Sequence, residues 1–265
     1  ASLITVKVWE NSTVGSGAPD WGSTPASASR YSYHPDGLLR HVVPPAQYKQ
    51  MANNGIDPDA ASMTQLDDYA AAEYDYGSYN RVSVLRTHGR RYTYSFNYVA
   101  STVGGTSINS WWYRTDVSQP DGSLHSYYFN RGGQLMLEKI SDSATTPTKV
   151  WYPRYQMFDS VVARLVLSAD HSAIKTVNES LPELVELEAS SGLIETLLYD
   201  PSGYVASVSL QHGTSGAVHK QREWTYSPRS IWLLGAIYKP ATETVFRNEG
   251  GGGAITTSYS YTWHG

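Results

Sequence analysis

The chain has no cysteine among its 265 residues, only 4 Phe, and only 17% charged residues. Without thiols there is no disulfide framework, no thiolate zinc site and no cysteine nucleophile. Charge of either sign is scarce: 20 Lys and Arg stand against 24 Asp and Glu, a formal net of −4. That balance offers no basic footprint for nucleic acid or for an anionic lipid surface. A long apolar run is also lacking. The longest stretch, Ile231 to Tyr238, falls far short of the roughly 20 residues of a membrane-spanning helix. Ala1–Trp9 has neither a basic region nor a long apolar core of the kind that marks a targeting segment. The Cys-free, Lys-poor composition suits a secreted or cell-surface protein. The C-terminal Thr256–Gly265 stops inside a strand-like alternation, as a piece of something longer would.

Tyr and Trp are abundant, at 21 and 8. Both carry an apolar ring and a polar tip, so they suit half-buried surfaces better than a sealed core. Two readings follow: extensive β-sheet with one face near water, or a sugar-binding surface of stacked rings. The apolar fraction of 40% with so little net charge excludes a disordered chain. The length suits one large β domain or two small ones.

Alternation with period two dominates, in Ile4-Val6-Val8, in Tyr92-Tyr94-Phe96-Tyr98, in Val205-Val208-Leu210 and in Ile255–Trp263. Between these runs stand turn signals: Pro120-Asp121-Gly122, Asn130–Gly133, Asp200–Gly203 and Gly250–Gly253. The pattern predicts a mainly β fold, a long twisted antiparallel sheet of successive hairpins. One segment, 44–75, breaks the rhythm and predicts a small helical hairpin insertion. Its first helix runs from Ala46 to Asn54 after Pro44-Pro45 and closes at Gly55. Its second takes Asp57 as N-cap and continues through Met63, Leu66 and Ala70 to about Tyr74. A weaker acidic helix is predicted over Pro182–Ser190. Residues 1–30 read as an N-terminal strand and linker, and 31–265 as the hairpin region.

A phrase recurs: an aromatic residue, a polar turn with Gly, then an aliphatic restart. Tyr199-Asp200 with Gly203 is its clearest form, Tyr128/Asn130/Gly132 and Tyr33/Asp36/Gly37 are degenerate versions, and Glu73–Tyr76 followed by Asn80-Arg81-Val82 is a stretched one. With these phrases the chain resembles the RHS/YD-repeat family of large bacterial secreted or cell-surface proteins, from about Tyr31 to the C-terminus. Thr242–Trp263 also resembles the irregular repeats of very large members. The resemblance implies a long sheet that spirals into a shell enclosing or displaying a toxic domain. Asp200-Pro201-x-Gly203 is similar to part of that family's self-cleaving terminus, but the continuation is missing after Tyr204, so proteolysis is not implied.

Chemistry-bearing patterns are weak. No His pair has the spacing of a helical zinc site; His212 and His219 flank a predicted turn and could face each other across a hairpin. Gly213–Gly216 is one residue short of a nucleophile elbow and reads as a turn. Carboxylates cluster at Asp57/Asp59, Asp67/Asp68 and Glu183/Glu186/Glu188, with Asp57 and Asp59 placed as helix-N-terminal charges. Trp111, Trp112, Trp151 and Tyr152 could stack on sugar rings, although cross-strand packing is the plainer use. Asn11 and Asn178 head formal glycosylation sequons. No catalytic residue, cofactor or metal ligand is predicted. The expectation is a non-enzymatic structural segment that builds a β-sheet wall or fibre by self-association or by packing on neighbouring segments. A carbohydrate-binding module is the alternative, and a carboxylate glycoside hydrolase a remote third.

Overall fold

A computed structural model describes residues 3–8, 27–102, 105–142, 149–159, 164–168, 171–178, 185–231, 235–248 and 252–262. The strands are β1 (Leu3–Val8), β2 (Ser27–Tyr33), β3 (Leu39–Val43), β4 (Ala72–Tyr76), β5 (Val82–Thr87), β6 (Tyr92–Ala100), β7 (Trp111–Ser118), β8 (Ser123–Asn130) and β9 (Leu135–Asp142). They continue as β10 (Lys149–Asp159), β11 (Arg164–Ser168), β12 (Ile174–Thr176), β13 (Glu186–Leu187), β14 (Leu193–Tyr199), β15 (Val205–His212), β16 (Val218–Ile231), β17 (Gly235–Val245) and β18 (Ile255–Ser258). Helices α1 (Pro45–Asn53) and α2 (Met63–Tyr69) lie between β3 and β4. Sixteen strands pair in chain order, with β14 following β11, while β12 and β13 form a separate antiparallel pair. The mainly β, antiparallel architecture expected from the alternation is therefore present.

The chain divides into two compact units, Ala1–Asn97 with Asp116–Leu124, and Tyr98–Thr115 with His125–Gly265. The division drawn in the sequence at residue 30 falls inside β2, whose Ser32 pairs with Leu3 of β1. In the first unit the core is Val43, Met51, Ala61, Leu66 and Ala70, with Tyr48, Ile56, Met63 and Tyr69 packed around it. It is the seam between the helical insertion and the strands that flank it. In the second unit one core gathers Trp111, Tyr128, Met136, Leu137 and Tyr155, and another Val166, Ala173 and Ile194.

One hairpin device recurs. In the five-residue turns His34–Leu38, Gln119–Ser123, Asn130–Gln134 and Asp200–Tyr204, the first residue's N–H donates to the fifth residue's carbonyl at 2.8–3.0 Å, and the fourth residue, always Gly, donates back to the first at 2.9–3.0 Å. Those glycines, 37, 122, 133 and 203, have φ between +77° and +88°, the left-handed region an L-residue avoids. The fifth N–H also meets a side-chain oxygen in all four. Asp36 and Asp121 supply it from the third position, Asn130 and Asp200 from the first. Gly77–Arg81 repeats the outer bond at 2.8 Å with Asn80 (φ +56°) at the fourth place. An aromatic before the turn and an aliphatic after it pair across a register shift in Tyr33↔Leu39, Tyr76↔Val82 and Tyr199↔Val205.

This geometry shifts one expected unit by a residue. Beside Asn130 the aromatic partner equivalent to Tyr199 is Phe129, not Tyr128, and the left-handed glycine is Gly133, not Gly132. Tyr128 faces the core instead, edge-on to Trp111 at 5.5 Å, while Phe129 stacks on Tyr113 at 5.1 Å.

The insertion also differs in detail. Helix α1 starts with Pro45, which lacks the N–H a first turn cannot use, and ends as expected at Gly55 (φ +75°), with the Ile56 N–H donating to Met51 at 3.0 Å. Asp57, however, caps only a local turn, accepting from the Asp59 N–H at 2.9 Å. The N-cap of α2 is Ser62, in a capping box with Gln65. The helix stops at Tyr69 rather than Tyr74, because Ala72–Tyr76 is claimed by ladders to β3 and β5. Within the acidic helix predicted over Pro182–Ser190, Glu186-Leu187 is strand β13, and 182–184 lie outside the described residues. Strand β18 ends at Ser258, so the alternation to Tyr261 is not all strand, and Trp263 lies outside the described residues.

Candidate functional site

The densest chemistry lies in the first unit, on a row that runs straight across four strands. Ser32 of β2 pairs with His41 of β3, His41 with Glu73 of β4, and Glu73 with Arg86 of β5. Directly opposed residues on neighbouring strands put their side chains on one face, so register alone assembles the row. Two further groups close it: Asp67 from α2, and Arg90 from the β5–β6 turn. That turn is held against the insertion by its own backbone, with the Gly89 N–H donating to Ala70 at 2.9 Å. His88, Gly89 and Arg90 all have positive φ, 54° to 63°. A Cβ on Gly89 would sit 2.3 Å from the Asp68 carbonyl oxygen, so the close approach requires glycine.

The bonds within the row fix its protons. The Ser32 hydroxyl and His41 Nδ1 are 2.6 Å apart, and His41 Nε2 lies 2.8 Å from Asp67 Oδ1. Since the Asp67 carboxylate only accepts, Nε2 carries the imidazole proton, Nδ1 accepts, and Ser32 donates. Arg90 grips Glu73 through two bonds of 2.6 and 2.7 Å and reaches Asp67 at 2.9 Å. Arg86 adds contacts of 3.3 Å to Glu73 and 2.7 Å to Asp75. Arg40 stands 3.9 Å from both Asp67 and Glu73. Burial would raise the Glu73 carboxyl above its ordinary 4.5, but the Arg90 bonds and the Arg90 and Arg86 charges outweigh it and hold the pKa lower. For His41 burial wins: it lowers the imidazole below 6.5 against the opposing pull of Asp67 and Glu73.

Three chemistries can be weighed on this geometry. Ser32, His41 and Asp67 form a hydroxyl–imidazole–carboxylate chain, the order of a serine hydrolase, but Ser32 is 0% exposed and cannot meet a substrate. His41, Asp67 and Glu73 bring ligand atoms within 4.8 Å of one another. A metal there would need a lone pair on Nε2, which bears the proton, and would compete with Arg90 and Arg86 for the carboxylates. A glycosidase acid needs a carboxyl with a raised pKa in a cleft; Glu73 is buried and shifted the other way. The row is chemically an ion-pair lattice that joins β2, β3, β4 and β5 to α2.

A second polar knot lies beside it. Asp59 accepts from Lys7 at 2.7 Å, Thr5 at 3.0 Å and Tyr48 at 2.7 Å, tying β1 to the insertion rather than serving as a helix-terminal charge. Burial, followed by the hydrogen bond to Asp59, pushes the Tyr48 hydroxyl up to about 12. Arg30, enclosed beneath, donates to the Ala61 carbonyl at 3.1 Å, while its Nε and Nη1 have no hydrogen-bond partner among the described residues.

The residues singled out from sequence are spread more widely. Tyr33, Asp36, Gly37, Asn130, Tyr199, Asp200 and Gly203 sit in or beside the repeated turns. Trp111 and Trp112 point to opposite faces of β7: Trp111 is 8% exposed and belongs to the core, whereas Trp112 is 47% exposed with the Arg131 guanidinium 5.5 Å over its ring. Trp151 and Tyr152 are half-buried, Tyr152 against the same core. Asn178 is exposed; Asn11 lies outside the described residues. His212 and His219 do not face each other, since His219 pairs with Leu210 and His212 with Leu193. Gly213–Gly216 is a turn, with Gln211 donating to the Thr214 and Gly216 carbonyls at 2.9 and 2.8 Å. Sequence reasoning named Asp67 and Glu73 but not Ser32, His41 or Arg90 as their partners. The one available signal was polar residues, Arg30, Ser32 and His41, on strand positions where an apolar residue would be usual.

No family model and no curated protein matches the chain. Among solved structures it is similar to the crystal structure of TcdB2-TccC3, at 10% identity and a TM-score of 0.33 over 94% of this chain and 15% of that one. The crystal structure of TcdB2-TccC3-TEV gives 12% identity and a TM-score of 0.35 over 94% of this chain and 13% of that one. The Photorhabdus luminescens Tc holotoxin pore gives 11% identity and a TM-score of 0.32 over 92% of this chain and 13% of that one. The chain thus spans 13–15% of the length of the structures it is similar to.

Proposed function

We propose that the chain is a structural segment, without catalytic function, of a secreted or cell-surface protein of the RHS/YD-repeat kind. Its task is to lay down a β-sheet wall or fibre by packing on neighbouring segments or on further copies. The observation that carries this reading is the five-residue turn used again and again, each time with the same outer hydrogen bond and a left-handed fourth residue. Such a device makes hairpins. Supporting it, all four residues of β18 are exposed and the strand pairs only with β17, so one of its edges is unpaired among the described residues. An unpaired edge is a template for a further strand. Mass and shape in solution test the reading: end-to-end association supports it, and a compact monomer that stays inert at high concentration sinks it.

A carbohydrate-binding surface is the second reading, favoured by the exposed ring of Trp112 and by Tyr204, 38% exposed, whose ring lies 5.0 Å from Tyr226 and 5.3 Å from Tyr238. A glycan array that stays blank with folded protein disposes of it.

A further inference from the structure

The polar row holds one group whose charge can change near neutrality, and it is placed under the helical insertion. His41 is 0% exposed. Ser32 of β2 faces it, with Asp67 of α2, Glu73 of β4, and Arg40 on its own strand. Arg86 of β5 and Arg90 of the β5–β6 turn complete the shell through Glu73 and Asp67. Around a neutral imidazole this set is balanced, three guanidiniums (Arg40, Arg86, Arg90) against three carboxylates (Asp67, Glu73, Asp75).

We propose that His41 is an acid-sensitive latch, whose protonation releases α2 from the sheet while the strands stay paired. A second proton on the ring goes to Nδ1, which faces the Ser32 oxygen at 2.6 Å. The hydroxyl must then turn from donor to acceptor and swing its own hydrogen away from His41, giving up the bond it now donates. The added charge also unbalances the set. Burial already disfavours the imidazolium here. By linkage, a group that binds protons less well when enclosed favours, in acid, the state in which water reaches it. That state is most easily reached through α2. The helix has seven residues and is anchored by Leu66 and Asp67, whereas the strands beneath are each joined to their neighbours by backbone pairing.

The test is amide hydrogen exchange on the full chain between pH 7.5 and 5, corrected for the intrinsic rate at each pH. This range leaves Glu73 ionised. Protection of the Met63–Tyr69 amides is expected to fall by up to about tenfold per pH unit below about 6.5, the slope of one proton, while β14 and β15 amides do not change. His41→Gln keeps an amide N–H for Asp67 but cannot titrate, and its protection is expected to stay flat. Flat protection in the unmodified chain, or the same slope in the variant, overturns the proposal. Should the variant not fold, NMR titration of the His41 ring in the unmodified chain decides. A midpoint below 6.5 that coincides with the loss of protection supports the latch, and one at or above 6.5 refutes it.

Discussion

Two adjacent glycines show how much a single backbone angle decides. Gly133 has φ +77°, while Gly132 is not among the positive-φ residues and a Cβ there would meet only Asn130 Oδ1 at 3.4 Å. Gly133→Ala should therefore cost about 1–2 kcal/mol, the left-handed penalty of an L-residue. Gly132→Ala should change stability by less than about 0.5 kcal/mol. Urea unfolding of the two variants checks this; equal effects would undo the one-residue shift in the repeat unit. At Asp200, one carboxylate oxygen accepts from both the Ser202 and Tyr204 N–H groups at 2.9 Å. Asp200→Ala should lose about 1–2 kcal/mol for the two bonds, and Asp200→Asn, which keeps an acceptor, distinctly less. Thermal midpoints of the pair read out the difference.

At the scale of the element, the insertion is held by charges that came together from three separate stretches. Arg90 serves both Glu73 and Asp67, so Arg90→Ala removes charge-assisted bonds from two buried carboxylates that keep Arg86, Arg40 and His41 beside them, at a cost of about 1.5–3 kcal/mol. The measurement is the urea midpoint, with Arg91→Ala, at an exposed residue, as the control expected to be nearly silent. Acid should act in the same place. The folded pKa of Glu73 lies below 4.5, so its contribution to stability is complete above 4.5 and is lost as the pH falls through the lowered value. Unfolding midpoints at pH 7, 4 and 3 should fall steeply in the unmodified chain and more gently in Glu73→Gln. The helices themselves were legible because Pro45, Gly55 and the Met63–Leu66 spacing act locally. The end of α2 was not, since Ala72–Tyr76 takes its state from strands on either side of it. Ser32 and His41 stayed hidden for the same reason: only register across β2, β3 and β4 brings them to Glu73, and periodicity within one segment carries no register. Arg90 reaches them on the β5–β6 turn, which docks through Gly89.

For the whole molecule, hairpin after hairpin could be read from turn chemistry, because the glycine and the Asp or Asn of each such turn lie within five residues. The strand order followed from those turns. The end of β18 at Ser258 did not, since an alternating Tyr pattern reads alike whether or not the strand continues. If β18 recruits a further strand, Ile255→Lys, at a residue 45% exposed, should reduce association in analytical ultracentrifugation without moving the unfolding midpoint of the separated chain. Unchanged association would place the contact elsewhere.

The order of the strands has a further consequence, for how the molecule is made. Apart from the step from β11 to β14, every strand of the large sheet bonds to the one synthesised just before it. A nascent chain leaving the ribosome thus finds each partner already folded and close by, without waiting for a distant segment. Loop closure stays inexpensive at each step. Growth of the sheet can keep pace with translation, one hairpin at a time, and a longer polypeptide built on this plan would be no harder to fold than a short one.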